Sequence, residues 1–442
     1  MRLMPSRLSQ ALLAAGFVLA LPLGAQAQSL KELYEAARAY DATYLAAKSL
    51  AESAQFRAEQ SEALGRPSAA LRANASTSQI DPPTIPSGSS NSAGVSLNGS
   101  YSLFNRANAA TIEHARKSLL TAQADLDTAE QDLIVRVSQA YFDVLASQDA
   151  LATVRQSKAQ TNEQLASAKR NFEVGTATIT DTREAQARYD LVGAQEIAAE
   201  NDLRTKRIAL DQLVGRANVA PKPLALPVTL PSPVPGNAEE WVTVADQQHP
   251  TVRKARVGVD VAQLETTKAR AGDLPTVDAT ASLSGSRAGG SSLAVTSGNT
   301  KSATIGVQLN WPLYTGGATQ NRIKETLVLE EKSRQDLEAA RRGVAQGTRI
   351  AYFGVVSGLA QVKALEAAEA SSKLSLEATQ LGYRVGVRVN LDVLNAQTQL
   401  FQTQRDLAKA RYDVLVASLK LRQASGQLQP GDIDALNALL AK

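Results

Sequence analysis

VGTATITDTREAQ, Val174–Gln186, returns 211 positions later as VGVRVNLDVLNAQ, Val385–Gln397. Upstream, AYFDVL (Ala140–Leu145) returns as AYFGVV (Ala351–Val356). The pairs Asp125/Asp336, Tyr141/Tyr352, Gly175/Gly386, Asp181/Asp392, Gln186/Gln397 and Gly215/Gly426 keep the same spacing. The chain is therefore a duplication, each half about 190 residues long. The offset is 208 at Pro67/Pro275 and 210 at Leu103/Leu313, then 211 from Ala107/Ala318 onward. It slips only around short strand-like segments and stays constant through long helical ones, where one residue of slip would rotate a whole face.

Working outward, each half has the same order of elements. A helical run (Leu30 to about Leu64; Ala238 to Gly272) leads into two strand-like segments. In the first half these lie near Ser68–Gln79 and Ser92–Phe104, separated by the turn-rich DPPTIPSGSS. Val95, Leu97, Gly99, Tyr101 and Leu103 alternate with Ser96, Asn98, Ser100 and Ser102. Ile305, Val307, Leu309, Trp311 and Leu313 do the same in the second half. Weaker partners carry Leu71, Ala73, Ala75, Thr77 and Val277, Ala279, Ala281, Leu283. Period two over about ten residues suits an outer-membrane strand. Tyr101, Phe104, Trp311 and Tyr314 sit at the ends facing the next helices, where an aromatic girdle belongs.

Long helices follow, Arg106 to about Phe172 and Ala318 to about Tyr383, each roughly 100 Å at 1.5 Å per residue. Ile112, Leu119, Leu126, Leu133 and Ala140 recur every seven positions, with Ala115, Ala122 and Ala129 as a small-residue seam. After the VG turns come helices about half as long, Thr180–Val214 and Asn390–Ser425. Two shorter helices end to end match one long helix, so the halves read as a rod about 100 Å long. Gly343, Gly347, Gly354 and Gly358 interrupt the second long helix at about 1 kcal/mol each relative to Ala, a cost that close packing is expected to offset.

Composition excludes several classes. Arg2, Arg7, the apolar Leu8–Leu23 and Ala25-Gln26-Ala27 predict a secretory leader over 1–27. The chain carries 47 basic and 43 acidic side chains, net +4, and loss of Arg2 and Arg7 halves that excess. No block of like charge points to nucleic acid. There are 0 cysteines, so neither a disulfide framework nor a lipoprotein anchor is expected. The 2 histidines, His114 and His249, lack metal-ligand spacing and are expected to be solvated helix residues. No nucleophile–base cluster or phosphate loop stands out, and neither an enzyme nor a cofactor is expected. Residues 216–237 hold six of the 16 prolines and read as an extended linker. The organisation is thus 1–27 leader, 28–215 first repeat, 216–237 linker, 238–426 second repeat and 427–442 tail.

Four strands cannot close a membrane barrel, for which about eight are the minimum, and open edges in lipid are costly. Two copies would supply eight strands and three would supply twelve; strand number alone does not choose. The pattern, and above all GYRVGVRVNLDVLNAQTQLFQTQRDLAKARYDVLVASLKLRQASG (Gly382–Gly426) with its echo NFEVGTATITDTREAQARYD, resembles the TolC family of outer-membrane channel-tunnels over nearly the whole mature chain. The resemblance implies an α + β membrane protein of a Gram-negative cell. A homotrimer would form a twelve-strand transmembrane β-barrel continued by a twelve-helix periplasmic barrel. The linker and tail would form a belt around it. Implied partners are outer-membrane lipid, a periplasmic adaptor and an inner-membrane RND or ABC transporter. The implied task is multidrug efflux or type I protein secretion. The alternative is a pore-less periplasmic coiled-coil adaptor.

The candidate site is the tip formed by the VG turns. Gly175 and Gly386 are expected to supply the positive φ of helix C-caps. Asp392 is a candidate cation ring, one carboxylate per copy, or simply an Asp favoured by the helix N-terminus. Asn395 stands where relatives carry a second acid, which predicts weaker cation block. By resemblance, Asp181 is held by Tyr383 and Arg388 to keep the entrance shut. Phe172 and Ala177 occupy the equivalent first-half positions, which makes the two hairpins unequal.

Overall fold

The computed structural model describes residues 27–81, 83–84, 86–225, 227–291 and 297–441. The leader expected over 1–27 lies outside them except for Ala27. Each repeat begins with a broken helix where a continuous one was expected. In the first, α1 (Leu30–Tyr40) and α2 (Ala42–Glu62) meet at Asp41. Its Oδ1 accepts from the Tyr44 N–H at 2.8 Å and so caps α2. Arg136 of the next helix grips both carboxylate oxygens, at 2.9 and 3.0 Å. Neither Pro nor Gly announces this break; a single capping Asp makes it. In the second repeat, α5 (Ala238–Gln248) and α6 (Pro250–Arg270) meet at His249. Pro250 forces the preceding residue out of the helical region, and His249 Nδ1 accepts from Thr251 N–H at 3.1 Å. His249 is thus a half-buried cap rather than a solvated helix residue, and burial pulls its pKa below the ordinary histidine value.

The remaining elements follow the sequence reading closely. They are β1 (Ser68–Ile80), β2 (Gly88–Phe104), α3 (Arg106–Glu173), α4 (Ile179–Val214), β3 (Thr276–Gly290), β4 (Gly298–Asn310), α7 (Ala318–Arg384) and α8 (Asn390–Ala424). A short α9 (Gly431–Asn437) closes the tail. α3 packs against α2 and α6 toward the sheet, and against α4 and α8 toward the VG tip. Two shorter helices do lie end to end beside one long one. Within one copy, close packing is seen at one of the four glycines. A Cβ on Gly358 would stand 2.8 Å from Val414 Cγ2, whereas Gly343, Gly347 and Gly354 have nothing within 4 Å.

The main core lies midway along the rod. Leu133, Val137, Tyr141, Phe142 and Leu145 of α3 are buried against α1, α4, α8 and the tail. Tyr141 Oη donates to the Lys222 carbonyl at 2.9 Å. Its repeat mate Tyr352 donates to the Gly236 carbonyl at 2.6 Å. The two duplicated tyrosines therefore pin the two ends of the proline-rich segment. Leu224 of that segment bridges to Leu440 of the tail.

All four strands form one antiparallel sheet in the order β1-β2-β3-β4, and the two repeats join through β2 and β3. The register puts Leu71, Leu97, Leu283 and Ala303 in one row and Ala69, Gly99, Ala281 and Ile305 in the next, all on one face. Ser68, Ser96, Asn98, Thr280, Ser282 and Thr304 lie on the other. The sequence alternation fails in two places. Leu103 falls in a bulge between Ser102 and Phe104, so Phe104 rather than Leu103 joins the apolar face opposite Val277. Trp311 and Leu313 lie beyond the end of β4, because Pro312 cannot donate to a ladder.

Candidate functional site at the helical tip

Both VG turns are Schellman caps. Gly175 has φ +76° and Gly386 φ +79°. Thr176 N–H reaches Asn171 O at 2.8 Å and Gly175 N–H reaches Phe172 O at 3.0 Å. Val387 and Gly386 repeat this on Gly382 O and Tyr383 O at 2.9 and 3.1 Å. Left-handed φ at each helix end lets the carbonyls of the last turn be satisfied while the chain reverses.

The two hairpins meet through amide and phenol side chains and one arginine. Asn390, the first residue of α8, is almost fully buried. It is hydrogen-bonded to Gln164 of α3, and its Nδ2 donates to the main-chain carbonyl of Asp181 in α4 at 3.3 Å. Asn171 Nδ2 donates to Tyr383 Oη at 3.4 Å. Arg188 Nη2 donates to Asn395 Oδ1 at 3.1 Å. Small apolar clusters back these contacts: Leu165, Ala168, Ala185 and Leu394 on one side, Leu376, Val393 and Leu400 on the other.

The expected grip of Tyr383 and Arg388 on Asp181 is absent within the chain. Asp181 Oδ2 accepts from Thr178 N–H at 2.9 Å and from Thr178 Oγ1 at 2.7 Å, so the carboxylate caps its own helix. Tyr383 turns to Asn171. Arg388 Nη1 stands 3.6 Å from Asp392 Oδ2, an exposed pair in the same hairpin. Asp392 also accepts from Val389 N–H at 3.5 Å. Asp181 therefore meets the opposite hairpin through its backbone rather than its charge. Asn390, Gln164, Asn171 and Arg188 were missed in the sequence. The one available signal was Asn390 at the helix start, where the first repeat has Ile179. Among the described residues no group of three potential metal-ligating side chains gathers.

At the opposite end, Tyr101 and Phe104 close β2 while Trp311 and Tyr314 follow β4. All four lie at the helix-proximal end of the sheet. Trp311 Nε1 donates to the Asp273 carbonyl at 3.2 Å.

A sheet apolar on one face, whose outer edges have no partner among the described residues, set on helices about 100 Å long, is one segment of the wall of a membrane-spanning duct. Comparison with known proteins supports that class. The family model described as outer membrane efflux protein matches residues 27–216 and 241–427. The chain is 35% identical over 343 residues to outer membrane protein TolC of Vibrio cholerae, covering 77% of this chain and 78% of that protein. It is 35% identical over 312 residues to the alkaline protease secretion protein AprF of Pseudomonas aeruginosa, covering 70% and 64%. The crystal structure of outer membrane protein VceC from Vibrio cholerae superposes with TM-score 0.77 at 21% identity, covering 90% of this chain and 96% of that one. The chain belongs to the outer membrane efflux protein family. It is an outer-membrane export channel of the TolC type, and the reading as a pore-less adaptor is set aside.

Proposed function

We propose that three copies close into one duct, with a twelve-strand barrel in the outer membrane and a twelve-helix barrel in the periplasm. The observation that carries this is the unequal packing of the duplicated long helices. α3 is flanked by α2 and α4 on one side and by α6 and α8 on the other, whereas among the described residues the helices packed along α7 are α5, α6 and α8. Its uncovered flank fits α2 and α4 of a neighbouring copy. The outer edges of β1 and β4 have no partner among the described residues, and they pair in the same closure. Tyr101, Phe104, Trp311 and Tyr314 then form the inner-leaflet girdle. Light scattering on the detergent-solubilised protein tests this. A heat-modifiable trimer is expected; a stable monomer would sink the closure.

In this assembly the VG tip is the periplasmic entrance. Asp181, Tyr383, Arg388, Asp392 and Asn395 surround it, with three Asp392 carboxylates forming a cation-selective ring. The adaptor and the RND or ABC transporter engage this end. The repeats span 28–215 and 238–426, with 216–237 and 427–442 as the belt. Relatives named for protease secretion and for efflux favour a duct serving either cargo.

A further inference from the structure

We propose that the outward face of the sheet carries a site for a phosphorylated lipid headgroup, built by Arg287 of β3 and Lys301 of β4. The proposal rests on the channel reading, which makes this face the lipid face. The four strands hold three basic side chains and one carboxylate. Arg72, opposite Ser96, and Asp278, opposite Ser102, lie on the serine-rich face. Arg287 and Lys301 lie on the other face, among leucine, valine and alanine.

Their level decides what they meet. Lys301 is opposite Gly285, and Arg287 is opposite Asn299. The two cations are diagonal neighbours on adjacent strands, roughly 7–8 Å apart, near enough to share one phosphate. Lys301 lies about 27 Å up β4 from Leu309 at about 3.4 Å per residue. At a strand tilt near 40° that is about 20 Å of height, close to the thickness of an apolar barrel band. Asn299 stands beside Arg287 on the same face, and one row further on, level with Gly289, that face carries Thr77 on β1 and Asn91 on β2. Charges facing lipid cost about 2–4 kcal/mol at mid-bilayer and close to nothing at the interface. The pair therefore stands at the headgroup level of the outer leaflet, opposite the aromatic end.

Neither side chain has an acidic partner within 4.0 Å among the described residues, and both are exposed. Glycines clear space around them: Gly285 and Gly289 have nothing within 4 Å of a Cβ position. An unpaired guanidinium beside an ammonium, over an open floor of Ala93 and Gly285, suits a phosphate monoester or diester. Arg grips two oxygens in its fork and Lys adds a point charge. The acyl chains then lie along the row of Leu97, Leu283 and Ala303 below.

The test reconstitutes the full protein in nanodiscs holding equal amounts of phosphatidic acid and phosphatidylcholine with the same chains. Native mass spectrometry then counts the lipid retained in detergent. Wild type is expected to prefer phosphatidic acid about thirtyfold, as two cations near an anionic surface supply. The Arg287→Gln/Lys301→Gln variant is expected to lose that preference, Arg287→Lys to keep most of it, and millimolar inorganic phosphate to leave it unchanged. Equal retention of both lipids by wild type overturns the site. So does an undiminished preference in a variant that still migrates as the heat-modifiable oligomer, or displacement by inorganic phosphate, which marks a general anion surface. Should the double variant fail to fold, the wild-type comparison decides alone. Failure of wild type to enter nanodiscs is a different result and counts against the barrel itself.

Discussion

The side-chain amide of Asn390 donates to the main-chain carbonyl of Asp181 at 3.3 Å, tying the start of α8 to the start of α4. The bond is partly buried and neutral, so salt screens it far less than an exposed ion pair. Asn390→Ala removes it together with the contact to Gln164. At about 1 kcal/mol per net hydrogen bond, the two together amount to about 2 kcal/mol, and the tip is expected to open about thirtyfold more often. Single-channel recording checks this as longer or larger conductance events, and wild-type conductance in the variant would remove Asn390 from the gate.

Arg388 and Asp392 form an exposed pair of the kind worth at most about 1 kcal/mol. Arg388→Ser should raise the conductance of the isolated channel only modestly. Asp392→Ala should lower the cation-to-anion permeability ratio, since it removes a carboxylate and frees an arginine. Reversal potentials in a salt gradient measure the ratio; an unchanged value shows that Asp392 serves only as a helix-start acid.

Asn395→Asp places a second acid one turn after Asp392, but Arg188 stands ready to neutralise it from 3.1 Å. Cation selectivity is expected to change less than about twofold in Asn395→Asp. It should rise clearly in Asn395→Asp combined with Arg188→Ala, with the same reversal-potential readout.

Gly386 and Gly426 are both left-handed, with φ +79° and +73°, yet they differ in surroundings. A Cβ on Gly386 meets open space, so Gly386→Ala should cost only the backbone term, about 1–2 kcal/mol. A Cβ on Gly426 would stand 2.5 Å from His249 Cα and 2.7 Å from its nitrogen, both backbone atoms. Gly426→Ala should therefore cost about 3 kcal/mol or more. The temperature at which the oligomer dissociates should fall further for Gly426→Ala than for Gly386→Ala.

Asp41 predicts an acid limb. Hydrogen bonds from Arg136 lower its pKa most, helped by the Tyr44 N–H, while burial opposes them. A carboxylate whose folded pKa is depressed stabilises above its unfolded value, near 4, and loses that contribution as pH falls through the folded one. Unfolding followed from pH 7 downward should show stability declining below about pH 4. Asp41→Asn should flatten that limb and cost about 2 kcal/mol at neutral pH.

The duplication, the long helices, the paired strands and the turn glycines were legible because each rests on local periodicity or on a residue with one conformational use. The breaks at Asp41 and His249 were less legible. An Asp inside an Ala-rich run reads as a helical residue until Arg136, far away in sequence, holds it. Leu103 looked like an alternating residue because a bulge is a property of two strands together. The gate was half legible. Asp181, Tyr383, Arg388 and Asp392 stand at the tip, but which atom meets which depends on how the hairpins lean on one another.

By itself the sequence determined the wall: two copies of one unit, apolar on one strand face, with helices about 100 Å long. Those features follow from spacing along the chain. Tertiary structure alone decided the contacts between repeats. It seated Asn390 on the backbone carbonyl of Asp181 and, among the described residues, left one flank of α7 uncovered. Each joins residues about 200 or more positions apart, or marks where no such partner exists, and local periodicity carries no information about either.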